Sequence, residues 1–169
     1  MAQALVSIVM GSVSDWPIMQ GAAELLEQFQ IAYEVTVSSA HRAPQRTATL
    51  AQQAAGRGVQ VFIAGAGGAA HLAGVIAAET TLPVIGVPLD SSPLRGIDAL
   101  LATVQMPRGV PVATVAVGPA GAANAGILAA QIVALGEPEV AARLRQYKAE
   151  LAAKVERDAG ALQVQRQKP

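Results

Sequence analysis

The 169-residue chain has only two histidines, His41 and His71. His41 stands in SSAHRAP, residues 38–44, with Arg42 directly after it. Imidazole changes protonation near neutral pH, so it gives and takes a proton at modest cost. Arg42 adds a planar cation suited to a phosphate. A loop histidine can equally satisfy a backbone carbonyl, but this one follows an apolar β-rich run and adjoins Arg42, and that setting favours proton transfer. Pro44 suits the first turn of the next helix, which leaves Ser39, Ala40, His41, Arg42 and Ala43 as the loop.

Two further loops carry comparable chemistry. In MGSVSDWP, residues 10–17, Gly11 permits close backbone approach, Ser12 and Ser14 offer hydroxyls, and Asp15 occupies the N-cap position of a helix entering through Trp16 and Pro17. The segment reads either as a glycine turn before a capped helix or as a phosphate cradle whose Asp15 accepts hydrogen bonds from a sugar diol. In GAGGAAHLAG, residues 65–74, Gly65, Gly67 and Ala70 satisfy the relaxed dinucleotide pattern G-x-G-x-x-A. That match lies in the third βα turn, and Glu79 and Asp90 miss the spacing of a ribose-binding acid. A wall of small residues, Ala66, Gly67 and Gly68 among them, better suits backbone N–H groups that hold a carboxylate or carbon dioxide. His71 either assists there or caps the following helix. Arg108, in QMPRGVP, is a second ligand cation or a solvated turn residue, and the sequence leaves both open.

Composition narrows the chemistry. Twelve basic residues balance twelve acidic ones, so no overall field gathers nucleic acid or anionic lipid, and an anionic ligand must be caught locally. Only five cations precede residue 137, all arginines: Arg42, Arg46, Arg57, Arg95 and Arg108. Without a lysine in that body, a Walker-type phosphate site and a Schiff-base mechanism are disfavoured. The absence of cysteine excludes disulfides, thiolate nucleophiles and zinc-thiolate sites. No metal site is expected. The N-terminal segment lacks a basic leader, which points to the cytoplasm. Residues 58–78 and 109–136 are uncharged and long enough for a membrane span, but their glycines and prolines fit strand, turn and buried helix better.

These loops need a scaffold. Apolar β-rich runs at 5–10, 32–38, 59–65, 83–89 and 110–117 alternate with helical segments at 15–29, 44–56, 69–80, 95–104 and 120–136. Strands alternating with helices imply a parallel sheet in an open three-layer α/β fold, whose ligands bind beyond the carboxyl ends of the strands. After Gly136, apolar Val140, Leu144, Tyr147 and Leu151 recur at three- and four-residue steps, predicting one long C-terminal helix. Residues 1–160 form a single domain on this reading, and 161–169 a frayed tail. The segment at 120–136 is uncharged nearly all round, so it needs cover on every side. A second subunit is the expected cover, making the protein a homo-oligomer.

Assembled in order, MGSVSDW, SAHRAP, AGAGGAAHLAG, PVIGVP, VQMPRGVPV and GAANAGILAAQI resemble the class I PurE family, the N5-carboxyaminoimidazole ribonucleotide mutases of purine biosynthesis. The resemblance covers most of residues 5–135. It implies a flavodoxin-like α/β/α sandwich, an octamer with sites near subunit boundaries, and transfer of a carboxyl group from N5 to C4 of the nucleotide without ATP, metal or organic cofactor. It places Ser12, Ser14 and Asp15 on phosphate and ribose, with Ser39 and Arg42 completing the phosphate contacts. His41 matches the acid/base histidine, Ala66 and Gly67 the carboxylate-facing backbone, and His71 the second active-site histidine. Gly11, Ala40, Gly68 and Leu72 fall in the same matched segments and join the substrate-binding set. Ala73 replaces the proline of the common HLPG motif, which alters helix rigidity and no reacting group. The third loop lacks the Ser-Asn-Gly form of the animal-type carboxylase branch, which favours the mutase. A carboxylase using free carbon dioxide and a flavodoxin-like nucleotide-binding module remain the competing readings, with a nicotinamide enzyme third.

Overall fold

The computed structural model describes residues 3–166. Five strands, β1 (Val6–Met10), β2 (Tyr33–Val37), β3 (Val61–Gly67), β4 (Val84–Leu89) and β5 (Ala113–Thr114), form one parallel sheet in the order β2-β1-β3-β4-β5. This is the flavodoxin-like order, whose topological switch point lies between β1 and β3. Helices α1 (Trp16–Gln28), α2 (Pro44–Gln53), α3 (Leu72–Glu79), α4 (Ile97–Val104), α5 (Pro119–Val133) and α6 (Pro138–Arg166) complete the chain.

Alternation along the strands divides the core between the two faces of the sheet. Val6, Ile8 and Met10 of β1 and Ile85, Val87 and Leu89 of β4 pack on one face against Met19 and Leu26 of α1 and Ala122, Ala125 and Ala129 of α5. Val9, Phe62, Ala64 and Val84 point the other way, onto Ala51 of α2 and Leu72, Ala73 and Ile76 of α3. Both faces of the three central strands are therefore apolar, as a parallel sheet covered on both sides requires.

The chain itself covers one face of α5. Gly121, Ala122, Ala125, Gly126, Ala129 and Ala130 are buried by α1, the sheet and the start of α6, while Pro119, Ala120, Asn124 and Gln131 stay exposed. At Gly126 the backbones of α5 and α1 approach so closely that an added Cβ would stand 2.8 Å from the Ala22 carbonyl oxygen. Small residues thus serve helix–helix contact inside the domain.

Helix α6 docks only through its first turns. Val140 is buried, Leu144 and Tyr147 are half-buried, and the Tyr147 ring meets Phe29 edge-on with centroids 5.4 Å apart. Leu151, expected to continue the apolar stripe, is 43% exposed. The helix continues through 161–166, residues expected beyond its end, whereas 167–169 lie outside the described residues. Among the described residues, no helix is long and apolar enough to cross a membrane.

Candidate active site

The carboxyl ends of β1, β2, β3 and β4 surround a cleft of about 560 Å³ at the switch point. The loop after β1 forms one side. The Ser12 hydroxyl accepts from the Ser14 N–H at 3.3 Å and from the Ser14 hydroxyl at 2.8 Å, while the Asp15 carboxylate accepts from the Ser12 N–H at 3.0 Å. This reciprocal capping box closes a single 3₁₀ turn over Val13–Asp15. Asp15 does hold the N-cap position of α1, but its side chain turns back to Ser12 and leaves that helix uncapped. Burial pushes the Asp15 carboxyl above its ordinary range, with the Ser12 N–H and the Arg42 charge acting in the opposite sense.

The loop after β2 is pinned from below. Ser38 and Thr47, both buried, share a hydrogen bond at 2.8 Å, and the Ser38 N–H donates to the Met10 carbonyl at 2.9 Å. Above this anchor, the Ser39 hydroxyl accepts from the Arg42 N–H at 3.2 Å and from Nε at 3.3 Å. Arg42 Nη2 donates to the Gly11 carbonyl at 2.9 Å. The guanidinium therefore bridges the first two loops and lines the cleft with Gly11, Ser12, Ser14 and Asp15. It is the only arginine or lysine among the lining residues. Arg108 lies outside the lining, in an exposed turn.

The third loop supplies Ala66, Gly67, Ala69, His71 and Leu72. Gly68, expected in the binding set, takes φ +58° and shapes the turn without lining the cleft. Bonds from the Ala70 N–H to Gly68 and from the His71 N–H to Ala69 hold the chain in tight turns, which delays α3 until Leu72. His71 thus stands at the N-cap position, but its imidazole makes no capping bond. Instead its Nδ1 lies 2.8 Å from Nε2 of His41, with the rings nearly perpendicular at 77°.

That contact constrains the protons. One of the two facing nitrogens donates and the other accepts, so the pair carries at most one positive charge, because two facing N–H groups at this distance would collide. The two imidazoles form one unit that can release one proton and recover it. Ala40 lines the same cleft beside them, and Ser91, which the motifs did not single out, completes the wall from the loop after β4. Only its place just beyond a strand end marked Ser91 in the sequence. Among the described residues, no group of three or more His, Asp or Glu side chains is arranged to hold a metal ion.

Comparison with known proteins identifies relatives over most of the chain. The family model for AIR carboxylase matches residues 5–154. The N5-carboxyaminoimidazole ribonucleotide mutase of Vibrio cholerae is 57% identical over 144 residues, covering 85% of this chain and 89% of that one. The Escherichia coli enzyme of the same name is 54% identical over 145 residues, 86% of each chain, and the Pyrococcus horikoshii enzyme 52% over 159 residues, 94% of this chain and 89% of that one. Treponema denticola PurE superposes with a TM-score of 0.85 at 29% identity, covering 94% of this chain and 98% of that one. With the family match spanning every loop of the cleft, the chain belongs to the AIR carboxylase family.

Proposed function

We propose that the cleft converts N5-carboxyaminoimidazole ribonucleotide to 4-carboxy-5-aminoimidazole ribonucleotide. The relatives bear the mutase name at 52–57% identity over most of both chains, and the protein is a mutase of purine biosynthesis. The observation that carries the mechanism is the His41–His71 pair, in a cleft that a wall of small residues and Arg42 also line.

Arg42 binds the phosphate, with Ser12, Ser14 and Ser39 adding hydroxyl contacts, and Asp15 accepts from the ribose hydroxyls. These contacts, remote from the reacting atoms, fix the base against the wall. The His41 imidazolium gives a proton to N5 as the bond from N5 to the carboxyl carbon breaks. The electron pair of that bond stays on nitrogen, leaving neutral aminoimidazole ribonucleotide and carbon dioxide. Ala66 and Gly67 confine the gas within reach of C4, so recapture is in effect intramolecular. C4 attacks the carbon, and neutral His41 removes the C4 proton, restoring the aromatic ring. One proton leaves the histidine pair and one returns, so the net reaction consumes none. His71 holds the facing nitrogen of His41 in one orientation through both steps.

A homo-oligomer, an octamer as the family resemblance implies, is the expected assembly. Support comes from an exposed apolar stripe along α4, where Ile97, Leu101 and Val104 recur at helical spacing and, with Leu94 in the turn before the helix, are each about half exposed or more. The expected setting is the cytoplasm, with a small ribonucleotide and no nucleic acid or membrane as partner.

The test is incubation with synthesised substrate in bicarbonate-free buffer without ATP, following the carboxyl group by ¹³C NMR. Conversion is expected. Conversion only after bicarbonate is added would favour the carboxylase, and nucleotide binding without turnover would favour a binding module.

A further inference from the structure

Ser91 and Ser92 are adjacent in the loop after β4 and do different work. The Ser92 hydroxyl donates to the Asp98 carboxylate at 2.9 Å and accepts from the Leu94 N–H at 3.2 Å, so it holds the turn that leads into α4. The Ser91 hydroxyl has no hydrogen-bond partner among the described residues, and Ser91 lines the cleft. Its oxygen rests on the backbone of Gly67, where an added Cβ would come within 1.9 Å of it. Gly67 and Leu89 are register partners at the ends of β3 and β4, so the hydroxyl sits beside the small-residue wall.

The position relative to charge selects the ligand group. Arg42 bonds to Gly11 and Ser39 on the β1/β2 side, whereas Ser91 is on the far side of β3. A nucleotide with its phosphate at Arg42 presents its other end to Gly67 and Ser91. A neutral hydroxyl there can donate to a carboxylate oxygen and keep its contact when the group becomes uncharged carbon dioxide. We propose that Ser91 Oγ is a further substrate-positioning group, donating a hydrogen bond to the carboxyl group in transit. The inference rests on the mutase reading above and adds a residue to it.

The experiment compares wild type, Ser91→Ala and Ser91→Thr, using substrate labelled with ¹³C in the migrating carboxyl. It reads the kcat for transfer and the partition between carboxylated product and escaped labelled carbon dioxide. Ser91→Ala is expected to lower kcat about tenfold, as loss of one hydrogen bond implies. It should also raise the escaping fraction, while affinity for aminoimidazole ribonucleotide, which lacks the carboxyl, and the melting temperature stay at wild-type values. Ser91→Thr should restore the partition. Wild-type kcat and partition in Ser91→Ala overturn the proposal. So does an equal loss of affinity for carboxylated and decarboxylated nucleotides, which would put Ser91 on the nucleotide body. A fall in melting temperature that Ser91→Thr does not repair overturns it too, by making the residue structural. Failure of the wild type to convert substrate would instead sink the mutase reading. Gly67→Ala is a poorer probe, because its methyl would displace Ser91 as well.

Discussion

Replacing Arg42 by alanine isolates phosphate binding from chemistry. The guanidinium is exposed, and its hydrogen bonds reach Ser39 and the Gly11 carbonyl, so it is held in place before any ligand arrives. Side-chain entropy is already spent, and a phosphate oxygen that meets the remaining N–H donors gains nearly the full value of a charge-assisted hydrogen bond. That value is about 1.5–3 kcal/mol, so Kd for the nucleotide should rise about 10- to 150-fold in Arg42→Ala. Folding should change by about 0.5 kcal/mol or less, because no buried group loses its partner. Isothermal titration calorimetry with aminoimidazole ribonucleotide measures the first quantity and urea unfolding the second. The effect should shrink at high salt, as expected for a solvent-exposed ion contact. Arg42→Lys should recover only part of the affinity, since an ammonium cannot reproduce the planar fork that reaches Ser39, Gly11 and phosphate together. An unchanged Kd in Arg42→Ala, or full recovery with lysine, refutes the assignment.

Thr47→Val leaves the buried Ser38 hydroxyl without its partner and should cost about 1–3 kcal/mol in urea unfolding; adding Ser38→Ala should recover part of that loss, because both polar groups are then gone. No recovery in the double variant would mean that the pair does not anchor the loop. Asp15 has a raised folded-state value, so ionising it opposes folding: its stabilising contribution is complete below about pH 3.9, the unfolded range, and is lost as pH rises through the folded value. Asp15→Asn keeps an acceptor for the Ser12 N–H and cannot ionise, so its melting temperature should gain on wild type from acid toward neutral pH. Calorimetric scans in which the gap narrows toward neutrality would contradict burial as the dominant cause.

The layers and the order of elements were legible because periodicity tracks burial: β1 and β4 are buried along their whole length, and α1 and α2 begin within one residue of Asp15 and at Pro44. Boundaries failed where backbone conformation overrode composition. Helix α4 starts at Ile97 instead of 95, because Arg95 and Gly96 both take left-handed φ values. β5, read as 110–117 from its valines, is regular only at Ala113–Thr114. The chain still follows β4 beyond that point, through bonds from the Val115 N–H to Gly86 and the Gly118 N–H to Pro88, but Pro111 has no N–H to offer. In the site, residue types revealed His41, Arg42 and the serines. Sequence could not reveal that His71 bonds to His41, since thirty residues separate them and the contact depends on a turn that stops α3 from starting early. Ser91 was equally hidden: two identical side chains stand side by side before Pro93, and residue type cannot tell the serine that builds the turn from the one that faces the cleft.

His41→Asn most directly tests whether a single shuttled proton drives the carboxyl transfer. The amide keeps a polar contact toward His71 but cannot serve as an acid and base near neutral pH. Nucleotide affinity should stay within a few-fold of wild type, while transfer, followed from labelled substrate in bicarbonate-free buffer, should vanish. Turnover near the wild-type rate in His41→Asn would contradict the account.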